Sequence, residues 1–308
     1  MIGPATPLPE SPWGVLLTLY FVLIAAPSGL TMVSSWRRLR RPAADGAGAR
    51  ASSWTALGML AVAGLLLVAD LGRPERFFLM VTRFDNLGSP ISLGAKALLL
   101  KGLLLVVDLY LLHRLRAAGG VVGDRRTRAT ITAVTVSLGL TSVFLAVYPV
   151  AVLGRTWMAP LAGTGGALLV FALTALLIGV ALQMVLDLVV TDPSPAAAGG
   201  ATGSATLAAL GVAVVLGPLV AGSVLTDPAT AGPVRDQLAD GLGAVLWWGG
   251  SVAAGTVLPA VGLLATRRRS PRWSRHRRLA QWVILTGLLL GACTTRYLVV
   301  VVGPLELV

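Results

Sequence analysis

The residues of this chain that could do chemistry are few, and most of them stand in or beside apolar segments. The densest group is segment 70–77, Asp-Leu-Gly-Arg-Pro-Glu-Arg-Phe, which follows the uncharged apolar run 51–69. Its four charged residues are Asp70, Arg73, Glu75 and Arg76. At the edge of a membrane, such groups can donate hydrogen bonds and protons to a ligand that arrives from the lipid. They can also simply cap a helix that emerges into water.

Further charges lie inside apolar segments. Lys96, Lys101 and Asp108 interrupt segment 91–112, and Arg296 comes late in the last apolar segment. A charge at the bilayer centre costs about 2.5–3.5 kcal/mol on insertion scales, so such residues are usually paired or functional. Lys101 and Asp108 share a helix face but stand roughly 10.5 Å apart along the axis, so each needs a partner on another helix or a water.

The candidates for a proton path are Lys96, Lys101 and Asp108. The alternative for Lys96 and Asp108 is that they reach the outer and inner headgroup regions, respectively, and serve only as anchors. Lys101 is the nearest of the three to the middle of the membrane, so the anchoring explanation suits it least.

The elements that must position these residues are membrane helices. Only 12% of the 308 residues are charged, against about 25% in soluble domains, and long uncharged runs recur at the length of a bilayer span. Since lipid permits only helices or closed barrels, and no barrel-type alternation occurs, we expect an all-α bundle and a single membrane domain, 1–308. Eight helices are predicted, at about 13–36, 53–71, 91–112, 129–150, 160–187, 203–225, 242–265 and 279–302.

The basic residues predict which way the bundle faces. Seventeen of the 25 fall in the loops after the first, third and seventh predicted helices. The positive-inside rule then places these loops in the cytoplasm and both termini outside, as expected for a multi-pass protein of a prokaryotic plasma membrane. The loop arginines are read as topology signals and anchors to membrane lipid, and no nucleic-acid partner is expected despite the net charge of +12.

In this topology the turn at 70–77 lies on the outer side, and Lys96 and Arg296 lie at a similar depth. Pro74 cannot donate a backbone hydrogen bond and disfavours helical geometry at the residue before it, so the second helix should end near Gly72. We expect Asp70 and Arg73 to face the bundle, and Glu75 and Arg76 to face the water.

The sequence restricts which redox centres this chain can hold. It has one cysteine, Cys293, and two histidines, His113 and His276. An iron–sulfur cluster generally needs four protein ligands, and His276 lies in a predicted loop, so neither a cluster nor a bis-histidine haem is expected. No metal-ligand spacing occurs either. Any electron transfer would therefore need a partner's redox centre and a diffusible carrier.

Three segments resemble the NrfD-like family of polysulfide reductase membrane subunits. They are 70–77, the stretch 86–94 (Asn-Leu-Gly-Ser-Pro-Ile-Ser-Leu-Gly) and the stretch 296–303 (Arg-Tyr-Leu-Val-Val-Val-Val-Gly). The resemblance implies a subunit that exchanges electrons between the quinone or menaquinone pool and an iron–sulfur, ferredoxin-like partner, which usually serves a larger catalytic redox subunit.

The resemblance also implies a quinone pocket within the first helices. Asp70, Arg73, Glu75 and Arg76 would lie at its edge or on the docking face, with Arg296 as a further candidate. The first helix has no histidine and offers Thr18, Tyr20 and Ser28, of which Tyr20 is the main candidate. The direction of electron flow stays open.

Two other functions remain possible from the residues alone. A secondary transporter would account for buried charges and for the 36 glycines, but it predicts matched broken helices in two halves, and no such pattern is evident. A purely structural membrane anchor would leave Lys101 unexplained. The pair Gly287 and Gly291, four residues apart, predicts close helix packing rather than a ligand site.

Overall fold

The computed structural model describes residues 14–40, 46–72, 89–118, 125–154, 166–190, 241–267 and 277–301, and the single positions 75, 78, 79, 82 and 238. Every regular element within these residues is helical. The elements are α1 (Gly14–Leu23), α2 (Ala25–Arg40), α3 (Gly46–Asp70), α4 (Pro90–Ala117), α5 (Arg125–Leu153), α6 (Ala167–Val190), α7 (Gly241–Ala244), the π-helix π1 (Val245–Val257), α8 (Leu258–Arg267) and α9 (Arg277–Val301).

Six helical segments of the described residues are long and apolar enough to cross a membrane. They are Val15–Arg40, Ala47–Asp70, Arg125–Leu153, Ala167–Val190, Gly241–Gly262 and Gln281–Val301. At 28 residues, α4 also has the length of a span, and it carries the three charges noted above. The predicted helix 203–225 lies outside the described residues. The all-helical prediction is therefore confirmed over the described part, while the count of eight and the side of each terminus stay predictions.

The first span is divided at Ile24, where α1 ends and α2 begins. The cause is Pro27, which has no N–H to bond the carbonyl four residues earlier and whose ring crowds that carbonyl. The amide of Ile24 still donates to the carbonyl of Tyr20 at 2.9 Å, so the chain bends without leaving the helical path. The two short helices together make the span Val15–Arg40.

α2 occupies the centre of the bundle and packs against α3, α5 and α6, while α4 packs against α3 and α5. α2 and α6 approach each other closely, since a Cβ on Gly29 would overlap the backbone of Ala175 and Gly179. α9 packs against π1, α8 and α6. Because Gly291 meets Gly255 backbone to backbone and Gly287 faces Ala254, the predicted packing role of the 287/291 pair is confirmed.

α3 ends at Asp70, close to the position that Pro74 predicts. The amide of Leu71 donates to the carbonyl of Leu67 at 3.2 Å, and the amide of Gly72 donates to that of Ala69 at 3.1 Å. Gly72 has φ +65°, the left-handed conformation in which a glycine commonly terminates a helix. The helix therefore ends by an ordinary glycine cap, before the proline is reached.

Candidate functional site

A pair of tyrosines from different helices forms a polar centre inside the apolar core. Tyr20 of α1 and Tyr148 of α5 are both buried, and their hydroxyls are hydrogen-bonded to each other. Their rings meet edge to face, with centroids 6.5 Å apart, and Phe144 stacks on Tyr148 at 6.2 Å. One hydrogen bond uses only one of the two hydroxyl protons, so the pair retains an O–H that can donate to a third group.

Arg296 of α9 lies next to this pair and is fully buried. Its guanidinium donates to three backbone carbonyls and one hydroxyl, and its central carbon lies 4.3 Å from the ring centroid of Phe171. The acceptors are Phe21 O at 3.0 Å, Ala146 O at 2.6 Å, Phe171 O at 2.8 Å and Thr174 Oγ1 at 3.0 Å. One side chain thus ties α1, α5 and α6 to α9.

Prolines stand near two of the carbonyls that Arg296 binds. Phe21 lies three residues before the division at Ile24, and Ala146 lies three residues before Pro149. The carbonyls that Pro27 and Pro149 leave without a helical donor are those of Leu23 and Leu145, which are not acceptors of Arg296. Thr174 also donates its hydroxyl to the carbonyl of Val170 at 2.6 Å. A backbone carbonyl oxygen has two lone pairs, so it can accept from Arg296 in addition to a helical N–H, and the five N–H donors of the guanidinium can serve several such oxygens.

Lys101 lies on α4 and is fully buried against α2. Its ammonium donates to the carbonyl of Pro27 at 3.0 Å and to the hydroxyl of Ser28 at 3.3 Å. Among the described residues, no carboxylate lies within 4.0 Å of this ammonium. The prediction that Lys101 needs a partner on another helix is confirmed, and both partners are neutral.

Asp108, two turns further along α4, is also fully buried, and it forms an ion pair. Arg38 of α2 donates through one nitrogen to both carboxylate oxygens, at 2.8 and 3.0 Å, and Ser53 of α3 donates to one of them at 2.8 Å. The second terminal nitrogen of Arg38 is buried and has no acceptor among the described residues. The alternative of a lone anchor does not describe Asp108, because the fold pairs it with Arg38 and Ser53.

A second ion pair lies at the same end of α2 but closer to the surface. Arg37 donates to both carboxylate oxygens of Asp187 on α6, at 2.9 and 2.8 Å. Gln183 donates to the same carboxylate at 3.0 Å and accepts from Ser52 of α3 at 2.9 Å. The side chains of this pair are 23% and 16% exposed, against 12% and 0% for Arg38 and Asp108.

The remaining predicted site residues are dispersed. Asp70 and Glu75 are exposed, so the expectation that Asp70 faces the bundle is wrong. Asp70 is the last residue of α3, where the helix ends at the glycine cap described above. Arg73 and Arg76 lie outside the described residues. Lys96 is half-buried and donates to Ser92 on its own helix at 2.6 Å.

Three residues of this site were not singled out from the sequence. Tyr148 stands beside Pro149 in an uncharged span. A tyrosine next to a proline inside a span was the feature of the sequence that could have pointed to it. Arg38 belongs to a run of arginines that predicts topology, and nothing in its sequence context separates it from its neighbours. Ser53 is one of several serines in the chain, and only the packing of α3 against α4 shows that it faces Asp108.

No group of three or more histidine, cysteine, aspartate or glutamate residues that could hold a metal ion occurs within the described ranges. The site is therefore made of hydroxyls, amines, guanidiniums and carboxylates. Such groups bind polar ligands and move protons.

Residues 6–306 match the model of the family described as polysulphide reductase, NrfD. The chain belongs to this family. The NrfD match runs through every helix described above, from the start of α1 to the end of α9, and it confirms the resemblance carried by the segments 70–77, 86–94 and 296–303.

A curated relative has a more limited similarity. It is a putative membrane subunit of dimethyl sulfoxide reductase from Halobacterium salinarum, which is 32% identical over 102 residues. The aligned stretch is 33% of this NrfD-family chain and 23% of the relative, so the chain matches less than a quarter of that protein's length. With its apolar spans, the family match supports a multi-pass membrane protein.

Proposed function

We propose that this protein is the membrane subunit of a respiratory oxidoreductase complex and that it exchanges electrons between a quinone, such as menaquinone, and a ferredoxin-like iron–sulfur partner. A larger catalytic redox subunit would complete the complex. Two findings support the proposal: the NrfD family match over nearly the whole chain and the similarity of one stretch to a protein named as a reductase membrane subunit. Neither finding favours the secondary transporter that the residues alone left open.

The observation that carries the residue-level proposal is the hydroxyl pair of Tyr20 and Tyr148 beside Arg296. A quinone presents two carbonyl oxygens that accept hydrogen bonds, and its reduced form presents two hydroxyls that donate them. The pair has one O–H to donate and oxygen lone pairs to accept, so it fits both forms of the carrier. The buried, positively charged side chain of Arg296 beside the pair favours electron density on a ligand at this place.

Quinone reduction takes up two protons, and α4 has residues that can supply them. Three residues of α4 are spaced seven positions apart, so they share one face of the helix at intervals of roughly 10.5 Å. They are Gly94, which packs on the Tyr148 ring, Lys101 and Asp108. We propose that Lys101 and Asp108 extend a proton path from the tyrosine pair toward the arginine-rich, cytoplasmic side, with Lys96 near its outer end. The intervals exceed a hydrogen bond, so water must join these groups.

The turn after α3 is proposed as the docking face on the outer side. Asp70 and Glu75 are exposed there, and the sequence adds the basic residues Arg73 and Arg76 to the same segment. Mixed charges at the rim of an interface orient a partner more than they add affinity. A Glu75→Arg variant should therefore change the rate at which the iron–sulfur partner associates and the salt dependence of that rate, and an unchanged association rate would argue against docking here.

The tyrosine pair is tested by removing one hydroxyl at a time. In the complete complex in proteoliposomes, Tyr20→Phe and Tyr148→Phe should each lower kcat/KM for a short-chain menaquinol by about 10-fold, the equivalent of one hydrogen bond of about 1.4 kcal/mol. Tyr110→Phe is the matched control, because Tyr110 lies on α4 and is exposed. If both core variants turn over quinol like the control, the tyrosine site is wrong.

The proton path has its own test. Lys101→Met and Asp108→Asn are compared with Asp187→Asn, which alters the ion pair nearer the surface. A pH-sensitive dye that is trapped inside the vesicles follows proton uptake during quinone turnover. The path predicts slower uptake in the first two variants and normal uptake in the third. Wild-type uptake in the first two would remove Lys101 and Asp108 from the mechanism.

A further inference from the structure

The segment 86–94 resembles the family's second motif, yet the proposed function assigns no role to its last residue, Gly94. This glycine lies inside α4, one turn after the helix begins at Pro90. A glycine within a helix is less favourable than alanine, because it loses more backbone freedom on folding. A glycine at this position therefore calls for a structural reason.

The reason lies in the ring of Tyr148. A Cβ built on Gly94 would lie 2.9 Å from Cζ and 3.0 Å from Cδ2 of that ring, and closer still to Cε2. Real Cβ atoms do not approach carbon atoms so closely. The ring also contacts Phe144, which stacks on it, and Tyr20, which meets it edge to face. It therefore has little room to yield.

We infer that Gly94 is a positioning residue that lets the Tyr148 ring lie on the backbone of α4, so that the Tyr148 hydroxyl meets that of Tyr20. The contact atoms include Cζ, the carbon that bears the hydroxyl. A side chain at position 94 would displace this end of the ring first and would separate the two oxygens. The role in quinone binding rests on the proposed function, whereas the positioning itself does not.

Another glycine of the same helix provides the control. Gly102 lies eight residues further along α4, and a Cβ there would lie 3.8 Å from Leu60 Cδ2, an ordinary van der Waals contact. Gly102→Ala should therefore be tolerated, whereas Gly94→Ala should not. Both substitutions raise helix propensity by the same amount, so any difference between the two variants reports the surroundings of the added methyl group.

The experiment replaces Tyr148 by 3-fluorotyrosine in the full chain and records the fluorine resonance of the purified protein. Tyr20→Phe gives the reference for a broken hydroxyl pair. Gly94→Ala should shift the resonance away from the wild-type position, as Tyr20→Phe does, and Gly102→Ala should leave it in place. An unmoved resonance in Gly94→Ala overturns the inference, whatever the protein does with quinone.

A second measurement keeps the test decisive if Gly94→Ala folds poorly. When the ring is removed in a Tyr148→Val background, Gly94→Ala should lower the Tm far less than it does in the wild type. Equal losses of Tm in both backgrounds would mean that position 94 does not act through the ring, and the inference would be overturned.

Binding of a short-chain menaquinone, followed by quenching of tryptophan fluorescence, separates the inference from the proposed function. If both hold, Gly94→Ala and Tyr148→Phe weaken binding by a similar factor of about 10. If the fluorine resonance moves but both variants bind menaquinone like the wild type, Gly94 positions Tyr148 as inferred and the tyrosine quinone site is wrong.

Discussion

The two ion pairs at the end of α2 provide the sharpest test of how burial controls the energetics of this protein. Both pairs join an arginine of α2 to an aspartate of another helix through the same single-nitrogen geometry. Asp108→Asn and Asp187→Asn are therefore chemically identical changes. They differ in burial, since Asp108 is fully buried and its partner 12% exposed, while Asp187 and its partner are 16% and 23% exposed.

The expected magnitudes follow from that difference. Removing one charge of a buried pair leaves the other without compensation and costs about 3–5 kcal/mol. Asp108→Asn should approach this value, because one terminal nitrogen of Arg38 already has no acceptor among the described residues. For the more exposed pair, water can replace the lost carboxylate, and Gln183 also hydrogen-bonds to the side chain at position 187. Asp187→Asn should therefore cost about 1–2 kcal/mol.

The assay is unfolding of the purified protein in mixed micelles of increasing denaturing detergent, followed by tryptophan fluorescence. The free energy of unfolding should fall by about 1–4 kcal/mol more in Asp108→Asn than in Asp187→Asn. Replacing Arg38 by Met in the Asp108→Asn variant should recover part of the loss, because it removes the uncompensated charge. Equal losses in the two asparagine variants, or no recovery in the double variant, would refute the argument from burial.

Three further predictions concern packing and hydrogen bonding. Arg296→Lys should lower the free energy of unfolding by about 3 kcal/mol or more, since an ammonium cannot reach all four acceptors that the guanidinium binds; a Tm equal to the wild type would contradict this. Gly29→Ala should cost at least about 1–3 kcal/mol through overlap with α6, whereas Gly58→Ala, with no atom within 4 Å of the added methyl group, should be neutral or slightly stabilising in the same assay. Ser52→Ala should cost about 1 kcal/mol, because Gln183 loses its donor, and the loss should disappear when Gln183 is replaced by Leu; a loss that persists would show that the hydrogen bond is not its cause.

The candidate site shows where reasoning from the sequence succeeds. Lys101 and Asp108 could be recognised because a charge in an apolar span is expensive, so it must be paired or functional, and both proved to be buried and partnered on other helices. The end of α3 could be placed because Gly72 and Pro74 act on the local backbone. Tyr20 could be selected as one of few polar groups in the first span.

The same reasoning failed where the answer depends on rotation and neighbours. Asp70 was expected inside the bundle and is exposed, since depth in the membrane does not say which way a side chain points. Arg296 was grouped with Asp70 by depth alone, but it is buried among carbonyls of three other helices. Arg38 looked like one more topology arginine and is the partner of the most buried carboxylate of the described residues.

The sequence by itself determined that this chain is a helical membrane protein, that it has only one cysteine and two histidines, and that a few charges must be held inside its spans. These properties follow from composition and local backbone chemistry, which act over a few residues. Only the tertiary structure decided that Tyr20 meets Tyr148, that Gly94 makes room for the Tyr148 ring, and that Asp108 pairs with Arg38. Those contacts join residues separated by 54 to 128 positions, and they depend on the rotation of each helix about its axis, which an apolar span encodes only weakly because most of its faces are equally apolar.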